Sequence, residues 1–214
     1  DENSKQDWDL VTLQNDKAYR INVHDASMEE IANVPYWADF NSADSRERGQ
    51  TLAHGFGGVL YEVNICKDTA TLIGETKAAG CGISFGPDGD LYGLDPGSNE
   101  LLVYDLTTGA ATAIGSLGIQ LGYCGLTYDC TTDRLIAASS TEKALYEINS
   151  KTGEAELLKE LDLTFTGMGI DYDPQGQQVR ISNGTSLYAL DMATHALEKK
   201  GDFSFAGVND LALM

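Results

Sequence analysis

The chain has 214 residues, 42% of them hydrophobic, with 33 acidic against 14 basic side chains and a formal charge of −19 at pH 7. That length and apolar content suffice for one compact domain with a sizeable core. The charge disfavours nucleic acid and anionic membranes as partners, and no apolar run is long enough to insert in a membrane as a helix.

From the N-terminus, "DLVTLQNDKAYRINV" sets two alternating apolar and polar runs side by side, the pattern of half-buried strands. Related phrases follow as "VLYEVNICKDTATLIG", "LLVYDLTTGAATAIG", "ALYEINSKTGEAELL" and "SLYALDMATHALEKK", so that Tyr19, Tyr61, Tyr104, Tyr146 and Tyr188 are spaced 42, 43, 42 and 42 residues apart. Roughly twenty residues before a tyrosine stands a second marker, an apolar run that ends in a turn. It reads "CGISFGPDG" from Cys81, "CGLTYDCTTD" from Cys124 and "MGIDYDPQG" from Met168. Between marker and tyrosine lies a further alternating run, such as "DLYGLD", "RLIAAS" or "QVRIS".

Each unit is therefore four short strands, a to d, and five units at this period predict an all-β, five-bladed β-propeller. No segment shows the three-and-four apolar spacing of a helical solenoid. The first blade is predicted over 8–34 plus 206–214, and the others over 35–76, 77–118, 119–162 and 163–205. The terminal "VNDLALM" supplies the strand a that the first unit lacks, with Leu211 and Leu213 equivalent to Ile83 and Phe85. Ring closure of this kind removes an exposed sheet edge. The chain starts at Asp1 without a methionine, which suggests a mature, secreted form after signal removal.

Four cysteines, Cys66, Cys81, Cys124 and Cys130, permit three pairings and lack zinc-knuckle spacing. Cys81 and Cys124 share a repeat position on neighbouring blades, which makes them the favoured pair if a disulfide forms.

The phrase "LYxhDxxTGxxTxIG" followed by "GLxYDxxxxxLhxxS" resembles the blade repeats of extracytoplasmic propellers of the YVTN and NHL-like group. The resemblance covers essentially the whole chain, most clearly 58–192. It implies a scaffold whose members serve as adhesins, partner-binding modules, lectins and a few enzymes, so it fixes a fold and leaves the function to the site.

No catalytic motif stands out. "GISFG" matches the nucleophile-elbow pattern, but no helix follows Ser84, and the repeat places Thr127, Asp171 and Ala212 at its position. His24 and His195 fall in solvated c–d turns, and neither has a partner for acid–base work. With "WADFN" taken as the second blade's inner strand, Asp39 and Asp210 align with Gly82, Gly125 and Gly169. That alignment sets two carboxylates near the axis, as a possible Ca²⁺ site or an acid–base pair of a hydrolase. The loops between strands b and c and between blades gather aromatics on one face, where propellers vary most freely. Tyr36, Trp37, His54, Phe56, Asp95 and Tyr123 are the ligand-binding candidates there. Trp37 and Tyr123 lead, because they replace Gly80, Gly167 and Val208 of other blades. "SNGTS" carries the sequon Asn183-Gly184-Thr185, which also suits a tight hairpin turn. The expectation is a non-enzymatic extracellular recognition or assembly module with a protein or glycan partner. The alternatives are a small lectin and, behind it, a metal-assisted or glycosidic hydrolase.

Overall fold

The structure is a computed structural model that describes residues 10–14, 16–34, 40–47, 50–55 and 57–213. It contains five four-stranded antiparallel sheets. The second blade is β4 (Phe40–Glu47), β5 (Gln50–Gly55), β6 (Val59–Asn64) and β7 (Thr69–Glu75). The third is β8 (Gly82–Phe85), β9 (Leu91–Asp95), β10 (Glu100–Tyr104) and β11 (Ala111–Ser116). The fourth is β12 (Cys124–Asp129), β13 (Arg134–Ser139), β14 (Ala144–Ile148) and β15 (Ala155–Glu160), and the fifth is β16 (Gly169–Asp173), β17 (Gln178–Ser182), β18 (Ser186–Asp191) and β19 (Leu197–Asp202). The first blade joins β1 (Leu10–Gln14), β2 (Lys17–Ile21) and β3 (Met28–Asn33) to β20 (Ala212–Leu213), which pairs with β1 through Leu10↔Leu213 and Val11↔Ala212. The innermost strands β4, β8, β12, β16 and β20 touch in succession around an axis, so the five sheets form a closed ring.

Burial explains the sequence pattern. Central strands b and c are apolar on both faces because a neighbouring blade covers each, as in "RLIAAS" on β13, where Leu135 to Ser139 are all buried. Outer strands follow one burial pattern on β11, β15 and β19, exposed and half-buried by turns. A register shift interrupts the c–d pairing of every blade, immediately before Tyr19, Tyr61, Leu102, Tyr146 and Tyr188. The third blade therefore places Leu102, not Tyr104, at the repeated tyrosine position. Tyr104 sits two residues further along the same strand face and fills the space that Gly93 leaves, where an added Cβ would lie 2.5 Å from its ring.

The glycine of "TxIG" has a similar origin. A Cβ on Gly74, Gly115 or Gly201 would lie 1.9–2.1 Å from the carbonyl oxygen of Thr108, Thr152 or Asp25, each in the c–d turn of the next blade. These glycines let adjacent blades approach at the rim.

Cys81 and Cys124 are joined as a disulfide with a Cα–Cα distance of 5.4 Å, while Cys66 and Cys130 are free and exposed. Asn183 lies in the β17–β18 turn. Its Oδ1 accepts from Thr185 and Ser186 main-chain N–H groups, and its Nδ2 donates to Thr164 O at 3.0 Å.

Candidate ligand-binding site at the channel mouth

The axis is not an open tunnel. Ser42, Gly82, Gly125, Gly169 and Asp210 form one level around it, where the remaining space is about 10 Å³. A Cβ on Gly82 would meet the Gly125 Cα at 2.8 Å, and one on Gly169 would meet the Asp210 Cα at 2.8 Å. The glycines thus serve convergence of the inner strands rather than a water-filled lining. Ser42 is the second blade's member of this level, three residues beyond the position expected from the sequence. Asp39, with Tyr36, Trp37 and Phe56, lies outside the described residues.

Asp210 does sit at the expected level, but it is 3% exposed and both carboxylate oxygens are occupied. Oδ1 accepts the Thr12 hydroxyl at 2.6 Å, and Oδ2 accepts the Leu13 N–H at 3.1 Å. Burial pushes its pKa up to about 7 against these two hydrogen bonds. Among the described residues no group of three or more His, Cys, Asp or Glu side chains is placed to hold a metal.

One turn of strand below, Asp44, Ser84, Thr127 and Asp171 border a cavity of about 210 Å³ on the opposite face. These positions act as links between blades. Asp44 accepts the Phe85 N–H at 2.7 Å, Thr127 accepts the Tyr172 N–H at 2.9 Å, and Asp171 accepts the Leu213 N–H. Burial raises the pKa of both aspartates, and for Asp44 the charge of Asp171 adds to the rise. Ser84 is a member of this link row, buried in β8, with its hydroxyl donated to Phe85 O at 3.3 Å.

Above the constriction, on the face of the b–c and interblade loops, lies a cavity of about 510 Å³. Tyr123 stands on its border, 54% exposed, and the buried Met168 lines it with Ala78, Ala79, Pro96 and the Cys81–Cys124 disulfide. Asn41, Lys77 and Asn209 are its polar side chains among the described residues, and no Asp, Glu or His is among them. Asn209 Oδ1 is buried without a hydrogen-bond partner. The carboxylate of Asp95 caps its own turn, accepting the Gly97 N–H at 2.8 Å, while Pro96 beside it lines the cavity.

His54, expected on the rim, is 0% exposed and lies under the loops. Asn41 donates through Nδ2 to Gly80 O, which leaves Asn41 Oδ1 to accept from His54 Nδ1–H at 3.1 Å. His54 Nε2 then faces the Thr76 hydroxyl at 3.1 Å as an acceptor, in competition with Ala78 O, which lies 3.2 Å from the same hydroxyl. Burial lowers its pKa to about 4, with Asp95 opposing the fall. Gly80, at φ +39, has no side chain because the imidazole fills that space, with His54 Cε1 2.6 Å from where a Cβ would be. His54 therefore supports the loop instead of touching a ligand. The sequence pointed to Tyr123 by its break in the repeat, and Asn209 stands at the repeat position of Cys81, Cys124 and Met168, whereas Lys77 sits in an aperiodic loop and gave no such signal.

By sequence, the chain matches no family profile and no curated protein. Solved structures are similar to it in shape. A Bacteroides thetaiotaomicron VPI-5482 structural-genomics protein of unknown function aligns at a TM-score of 0.68 and 15% identity, covering 96% of this chain and 64% of its own. A chain of a nidogen/laminin complex aligns at 0.64 and 12% identity, covering 96% and 98%. Virginiamycin B lyase from Staphylococcus aureus aligns at 0.56 and 14% identity, covering 86% and 62%. The chain thus spans under two thirds of the first and third of these proteins. Identities this low, with neighbours of differing function, establish the fold alone, and that fold is the β-propeller.

Proposed function

We propose that this protein is a recognition module that binds its partner at the channel-mouth cavity on the loop face. The observation that carries the proposal is the cavity itself. It is concave, largely apolar, bordered by an exposed aromatic, and closed below by the constriction of the inner strands. Its described lining offers no carboxylate or imidazole for acid–base chemistry, and the nearby histidine is tied on both nitrogens. Binding without turnover fits these residues better than hydrolysis does.

The disulfide, and the lack of any helix long and apolar enough to cross a membrane among the described residues, fit an extracellular setting. A chain of a nidogen/laminin complex shares the fold, which is compatible with a protein partner. A lectin with one pocket per blade is less well supported, because this cavity lies at the axis and the loops around it differ from blade to blade.

The test is a glycan array and a pull-down of extracellular proteins with the intact chain, each run beside Tyr123→Ala. Loss of the captured partner in Tyr123→Ala supports the cavity. Undiminished capture by the variant moves the interaction to another surface.

A further inference from the structure

The charge distribution around this cavity narrows what it can hold. The chain carries 33 acidic residues, yet the cavity's described lining contains none and has Lys77 as its one cation. Lys77 is exposed; like Lys67, Lys143, Lys151 and Lys159 it makes no ion pair among the described residues, and of these five lysines it is the one that lines the cavity. Apart from Asn41 and Asn209, the rest of the described wall is glycine, alanine, proline, methionine, disulfide and one tyrosine face, a surface that gains from covering apolar area.

Resting on the cavity as the binding site, we infer that its ligand is a small organic carboxylate with an apolar, aromatic body. The ring lies against Tyr123 and Met168, and the carboxylate meets the Lys77 ammonium. Volume agrees, since about 510 Å³ falls in the range of small-molecule sites. Charge agrees as well. A free anion is repelled by a protein of net charge −19, so it needs both a local cation and an apolar body to stay.

The test compares 3-phenylpropionate with 3-phenylpropionamide, which share shape and differ in charge, by saturation-transfer NMR and calorimetric titration on the intact chain. The acid is expected to bind about tenfold more tightly than the amide, because hydrogen bonds between ionised partners are the stronger kind. Lys77→Gln should bring the two to equal affinity, and Tyr123→Ala should weaken both. Equal binding of acid and amide to the unaltered protein, with Tyr123→Ala still weakening both, overturns the carboxylate assignment and leaves the cavity as the site. Discrimination that survives Lys77→Gln also overturns it. Binding of neither compound in the millimolar range overturns the ligand class, and the site is then judged separately by the Tyr123→Ala partner capture.

Discussion

Asp171 on the fifth blade accepts the main-chain N–H of Leu213 on the first, across the seam between those two blades. Thr127 and Asp44 make the same kind of bond to Tyr172 and Phe85 at two other seams. The innermost strand has no partner strand on its axial side, so its N–H groups need acceptors, and a side chain from the next blade provides one.

Asp171→Ala strands the part-buried Leu213 N–H beside the strand that closes the ring and should lower stability by about 1–2 kcal/mol. Asp171→Asn keeps a carbonyl acceptor and should lose less. Equilibrium urea unfolding of the two variants decides the matter, and equal losses would deny the link its role.

The buried carboxyl of Asp210 makes stability depend on pH in a direction opposite to that of most carboxylates. Its folded value is about 7 against an ordinary 3.8, so the folded state holds the extra proton between those values. Its contribution is fully present near pH 4 and declines as pH rises through 7. Asp210→Asn carries no such proton. The melting temperature of the unaltered protein, relative to this variant, should therefore fall between pH 4 and pH 7 and level off above. A constant difference would show that Asp210 ionises normally.

His54 shapes the acid side. Its pKa drops from 6.5 to about 4 on folding, so its contribution is present above pH 6.5 and lost as pH falls through 4. A shift of that size corresponds to a difference on the order of 3 kcal/mol between the two ends of the window. In His54→Gln the decline from pH 6.5 to pH 4 should flatten, as read by thermal melts in a pH series. Between pH 4 and pH 6.5 the falling contribution of Asp210 and the rising contribution of His54 oppose each other and largely cancel, so each is read in its own variant.

Gly115→Ala tests the contact between rims. The new methyl would fall 2.1 Å from Thr152 O, so the third and fourth blades must separate to admit it. A loss of about 1–3 kcal/mol is expected from overpacking of this kind. Ala113→Gly, on the exposed face of the same strand, provides the comparison for a change of similar size away from the contact. The two variants melting alike would mean the rim is slack.

The ring could be read from the period because every blade must present an apolar surface to two neighbours, and that requirement imprints one alternation on each strand. Tyr104 shows the limit of such reading. It replaces the repeated tyrosine two positions late, and a two-residue step keeps a side chain on the same strand face, so the alternation does not reveal the offset. The inner strand of the second blade was misplaced for a related reason. Ser42, opposite His54, takes the level assigned to Asp39, and the register shift between Phe40 and Ser42 accounts for one residue of that three-residue offset. Once that strand is set correctly, Asp44 falls beside Ser84, Thr127 and Asp171 and the row of links becomes visible in the sequence. Lys77 was legible to no pattern, since its φ of +60 belongs to a loop whose course depends on His54 beneath it.

The pairing of Leu10 with Leu213 also orders events during synthesis. Blades two to five consist of neighbouring segments, each able to assemble soon after it leaves the ribosome, whereas the inner edge of β1 waits until β20 has been made. Until then its inner edge is open and the nascent ring has two unsatisfied ends. The first blade is thus the last to be completed, and the period before β20 emerges, rather than the finished ring, is when this protein is most exposed to aggregation and to chaperones.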